Sequence, residues 1–216
     1  MPKCYRGTLA ACALITTLLA AILGIYPFST NSAEAHYFAP KWDRFGQHQL
    51  RLRYNRANTQ FGGPVYQGVE GLGSWRNVSQ TIFFDETAYD SSNFDFLDSY
   101  NLDPDVLGIT YLTSTAGYQQ LCSAGSITYV EVYLNAPTLA GGNNTRRLNT
   151  VIHEAGHGLG LAHTDDGPIC GVDYGYIGWP GTLAGYLPVM YGAYLEGVSN
   201  ANIKPHDIDD INALYP

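Results

Sequence analysis

The sequence predicts a mixed α/β (α+β) fold, with a sheet of short strands in the first two thirds of the chain followed by a long helix and a short terminal one. Three observations carry this. Gln47–Tyr54 alternates, with Leu50, Leu52 and Tyr54 on one face and Gln49, Arg51 and Arg53 on the other, which is strand periodicity. Thr81–Phe84, Leu107–Thr113 and Ser126–Leu134 are short runs rich in Ile, Val, Tyr, Phe and Thr, bounded by Gly, Asp or Pro. Thr145–Leu161 and Pro205–Leu214 place like residues three and four apart, the spacing of one helix face. Composition allows a core: 45% of the 216 residues are apolar and 14% charged, which excludes a disordered chain.

The first 35 residues stand apart from that domain. Lys3 and Arg6 precede an uncharged run from Leu9 to Tyr26, and Ala33-Glu34-Ala35 forms a small-x-small cleavage pattern, so residues 1–35 read as a secretory signal peptide. The run is nearly long enough to span a bilayer, which keeps an uncleaved signal anchor as the alternative. Residues 36–216 then form a single domain, with neither internal repeats nor a low-complexity linker. Within it, Val65, Val69, Leu72, Trp75 and Val78 predict a helix weakened by Gly68, Gly71 and Gly73. Asp85–Asp105 spreads seven acidic residues among Ser, Asn, Tyr and Phe and reads as a solvated loop, or as oxygen ligands for a structural calcium. Ile208, Ile211 and Leu214 recur every three residues after Pro205, which suits the first helical turn.

The chemistry lies in Thr145–Leu161, which carries His153-Glu154-Ala155-Gly156-His157. On a helix, residues i and i+4 share a face, so both imidazoles can reach one cation. Gly160 permits a turn with positive φ that brings His163 back as a third nitrogen ligand, completing H-E-x-x-H-x-x-G-x-x-H. Three neutral nitrogens leave the fourth position of a tetrahedral zinc open, the mark of a catalytic site. Glu154 is not needed as a ligand and stands where its carboxylate can act as general base toward a zinc-activated water.

At these residues the chain resembles the metzincin zinc peptidases, and among them the matrixins. Leu159 and Leu161 flank the turn glycine as in that family, Thr164-Asp165-Asp166 is similar to its continuation, and Asp207–Tyr215 is close to its closing helix. Pro188-Val189-Met190-Tyr191 resembles its Met-turn, with Gly192 in place of the family's proline and Tyr194 retained. The resemblance implies a metzincin-like twisted, mostly parallel sheet with one antiparallel edge strand, a zinc-binding helix and a C-terminal helix. It implies that Leu107–Thr113 is the antiparallel edge binding an extended substrate through main-chain hydrogen bonds. It also implies that Tyr191 and Tyr194 belong to the specificity-pocket wall.

The resulting expectation is a secreted zinc metalloendopeptidase acting on extracellular proteins or peptides through Glu154, with zinc on His153, His157 and His163. Its alternatives are a catalytically silent zinc-binding protein and a membrane-tethered protease. Cys122 and Cys170, the cysteines left after signal removal, form a bridge in an oxidising compartment, or stay as two separate thiols. The net charge of −8 argues against nucleic acid as a partner. A monomer without stable membrane association is expected once the signal is cleaved.

Overall fold

The computed structural model describes residues 37–43, 50–58, 74–75, 82–163, 189–190 and 203–216. They lie in a compact unit spanning Glu34–Pro216. The segment read as a signal peptide, and most of the helix expected over Val65–Val78, fall outside the described residues.

Seven strands form one sheet: β1 (Pro40–Trp42), β2 (Leu50–Asn58), β3 (Ile82–Glu86), β4 (Phe94–Ser99), β5 (Gly108–Ser114), β6 (Gly117–Tyr118) and β7 (Gly125–Asn135). Their order is β3-β2-β4-β7-β5-β6, with β1 pairing the start of β7. The β1–β7, β2–β3, β2–β4 and β4–β7 pairs are parallel, whereas β5 runs antiparallel to β7 and β6 folds back on β5. This is the mostly parallel sheet with an antiparallel edge that was expected, the edge being a short hairpin instead of one strand. Among the described residues three helices follow: α1 (Ala136–Ala140), α2 (Asn144–Gly158) and α3 (Pro205–Leu214).

Alternation explains which face is covered. Leu50 and Leu52 of β2, Phe94 and Phe96 of β4, and Val130, Val132 and Leu134 of β7 are buried in one core with Val151, Ile152 and Ala155 of α2. Each fully buried Phe stabilises the fold by about 2 to 3 kcal/mol. On β2, Arg51 meets Asp85 at 3.2 Å and Arg56 grips Glu86 through two nitrogens at 2.6 and 2.9 Å. The Asn143 side chain accepts from the Arg146 amide at 2.8 Å and starts α2. Tyr215, just past α3, donates its hydroxyl to the Leu159 carbonyl at 2.6 Å and accepts from the Trp42 amide at 3.2 Å, tying β1, α2 and α3 together.

One expectation is corrected. The acidic stretch 85–105 is not a loop throughout, because β4 runs through its middle as a central strand between β2 and β7. Burial on both faces is tolerated because Asp95, at 1% exposure, accepts from the hydroxyls of Ser92 and Tyr129. Its own burial, and then that contact, push the Tyr129 phenol far up. Asp85 pairs with Arg51 and Glu86 with Arg56.

Candidate metal centre

Helix α2 presents His153 and His157 one turn apart, and the chain leaves it through Leu159 and Gly160, whose φ of +101° reverses the backbone and returns His163. The three Nε2 atoms form a nearly equilateral triangle with edges of 3.1, 3.1 and 3.0 Å. Such a group could hold a metal ion. Two of the rings are fixed from behind. His153 Nδ1 lies 2.7 Å from the Val189 carbonyl and His157 Nδ1 2.9 Å from the Leu161 carbonyl. Only a protonated Nδ1 can bond a carbonyl, so each neutral ring turns a bare Nε2 lone pair toward its neighbours. Burial, and then the adjacent His153 and His163, hold the His157 pKa well below its usual value, so that ring is neutral. Phe38 stacks on it with centroids 6.1 Å apart.

Glu154, the next residue along the helix, turns toward the sheet. At 5% exposure it packs on β5, where the Thr110 hydroxyl lies 2.7 Å from Oε2 and 3.0 Å from the Glu154 carbonyl. Gly108 is required here, since a Cβ at that position would stand 2.7 Å from Glu154 Cγ. Burial raises the Glu154 carboxyl to about 7, against the lowering effects of the Thr110 hydrogen bond and the His163 charge. A carboxyl of that pKa can take up and release a proton near neutral pH.

Met190 is fully buried against α2 at Gly156. A Cβ on Gly156 would sit 2.2 Å from its sulfur and 2.9 Å from the ring of Trp75, so the unspecified position before His157 must be glycine for α2 to approach this turn. Trp75 also donates its indole N–H to the Ile152 carbonyl at 2.9 Å. The turn is held by Asp207 of α3, whose carboxylate accepts from the amides of Val189 at 2.9 Å, Met190 at 3.1 Å and Lys204 at 2.9 Å.

The structure thus brings together His153, His157, His163, Glu154 and Met190. Tyr191, Tyr194 and Cys170 lie outside the described residues. The expected bridge from Cys122 to Cys170 therefore also falls outside them. Sequence reasoning missed Thr110 and Gly108, which matter only through the register of β5 over α2, and read Asp207 only as part of a helix.

No known family model and no curated protein matches this sequence. Solved structures do match. The structure of myroilysin aligns with a TM-score of 0.50 at 17% identity, over 84% of this chain and 98% of that one. At that identity the likeness is one of fold.

Proposed function

We propose that the chain is a zinc-dependent endopeptidase, exported through residues 1–35 and of the matrixin type. The observation that carries this is the triangle of three Nε2 atoms beside a buried, raised carboxyl. Nitrogens 2.0–2.1 Å from one tetrahedral zinc stand about 3.3 to 3.4 Å apart, close to the observed edges of 3.0 to 3.1 Å. His153 and His157 each turn a bare Nε2 lone pair to one point, and His163 brings a third nitrogen within 3.1 Å of both, a donor set that fits zinc. Its three histidines leave one position open, as a catalytic site requires.

The chemistry zinc supplies there is Lewis acidity toward the scissile carbonyl and a water of lowered pKa. The chain's own groups do the rest. The Val189 and Leu161 carbonyls keep His153 and His157 in the ligating tautomer. Glu154 accepts the proton of the attacking water as its oxygen bonds to the carbonyl carbon, and delivers a proton to the amine as the C–N bond breaks. Thr110 holds that carboxylate in line. Strand β5 offers its outer edge to an extended peptide. Export would expose Cys122 to oxidising conditions, and Cys170 is the proposed partner for its bridge.

Purified protein incubated with a proteome-derived peptide library tests the reading. Cleavage should stop with chelator and return with zinc, and Glu154→Ala should lose about a thousandfold in kcat while retaining one zinc. A wild type that holds one zinc and cleaves nothing would instead be a silent zinc-binding protein. Sequencing the exported protein should find His36 at its N-terminus.

A further inference from the structure

The outer edge of β5 is already part-filled by this chain's own Gln119. Leu107 accepts from the Asn135 amide on the β7 side, while Leu112 faces away and accepts from the Gln119 amide at 2.8 Å. By strand alternation Gly108, Thr110 and Leu112 therefore turn their main-chain groups to the outer edge. Gln119 then closes the Leu112 position from both sides. Its side-chain Oε1 accepts from the Leu112 amide at 3.3 Å, and its Nε2 reaches the Thr110 carbonyl at 3.5 Å. In an antiparallel partner, one residue would both donate to and accept from Leu112, and the residue two further on would donate to Thr110. A single glutamine reproduces that pattern with its backbone N–H and its carboxamide. It does so at φ +53°, a left-handed conformation glutamine rarely adopts. β6 meets β5 only at Thr113 and Ser114, so beside Gly108 and Thr110 the edge has no described strand.

We propose that Gln119 is a register stop that limits how far a substrate pairs with β5, and thereby sets the length of recognition on one side of the cleaved bond. This rests on the peptidase reading. Glu154 packs at Gly108 and Thr110, so the scissile bond lies opposite that end of β5. A substrate antiparallel to β5 directs its N-terminal side toward Leu112. Pairing on that side ends beside Thr110, while the C-terminal side is unaffected. Gln119 touches no reacting atom and acts as a specificity-determining residue through the edge groups it occupies.

The test compares wild type, Gln119→Gly and Gln119→Glu. Glycine suits a positive φ and keeps the amide bonded to Leu112, while Glu keeps an acceptor for the Leu112 amide. Quenched-fluorescent peptides sharing one cleavage site are lengthened residue by residue on either side. For wild type, kcat/KM should level off as the N-terminal side lengthens. For Gln119→Gly it should go on rising by about tenfold, mainly through KM, as two main-chain hydrogen bonds become available. Lengthening the C-terminal side should affect both proteins alike. Amide exchange followed by NMR gives a readout independent of turnover: Leu112 should exchange at least about tenfold faster in Gln119→Gly and stay protected in Gln119→Glu. Equal Leu112 exchange in all three, or a wild type that keeps gaining from N-terminal length, overturns the stop. Failure of every peptide to be cleaved by zinc-loaded wild type, with Leu112 exchange behaving as stated, overturns the peptidase reading instead.

Discussion

His153 and Glu154 are neighbours on one helical turn, yet they are held from opposite directions by unrelated parts of the fold. His153 is fixed from the C-terminal side, where Asp207 of α3 clasps the amides of Val189 and Met190 and the Val189 carbonyl orients the imidazole. Glu154 is fixed from the sheet, by the Thr110 hydroxyl and the bare Cα of Gly108. Holding a cation and handling a proton are therefore supported by separate shells. A substitution on one side should leave the other function largely intact.

Asp207→Asn presses hardest on this division. An amide cannot offer two oxygens to the three backbone N–H groups that the carboxylate now satisfies, so at least one buried donor loses its partner. Stability should fall by about 2 kcal/mol in urea unfolding. Zinc affinity, read by competition with a chromogenic chelator, should fall about tenfold as the His153 carbonyl partner loosens. The kcat of the zinc-saturated variant should change much less. Thr110→Val works from the other side and is smaller. Loss of the hydroxyl beside Oε2 should lower kcat about tenfold, with zinc affinity within about a factor of two of wild type. Equal damage to zinc affinity by both variants would show one shell where two are described.

The same contrast sets what could be read from the sequence. Contacts within one helix or one strand repeat with a fixed period, so α2 with His153, Glu154 and His157, the Gly160 turn that returns His163, α3 after Pro205, and the bodies of β2, β3, β5 and β7 are legible. The strand β4 was hidden because Asp95 sits where an apolar residue is expected. Its burial depends on Ser92 and Tyr129, the latter 34 residues away. The three-residue β1, the two-residue β6 and the five-residue α1 are too short to show a period. Thr110 meets Glu154 across 44 positions, and His153 meets Val189 across 36. Such partners follow from how elements register against one another, which no local pattern encodes. The HExxH spacing therefore reveals the ligands while leaving their supports invisible.

The smallest effect should come from His206 of α3. Burial alone would lower its pKa, but the hydrogen bond to Asp210 at 3.1 Å and the charges of Asp210, Asp207 and Asp209 outweigh this and raise it. A histidine whose folded pKa exceeds its unfolded value of about 6.5 contributes stability in full below that pH. The contribution is lost as pH rises through the folded value. His206→Gln should therefore destabilise the protein by about 0.5 kcal/mol near pH 6 and by less near pH 9. Subtracting the two unfolding curves removes to first order whatever Asp207 contributes, since it is present in both proteins. A difference that grows with pH would mean that His206 is held neutral in the folded state, and that Asp210 does not act on it as a charge partner.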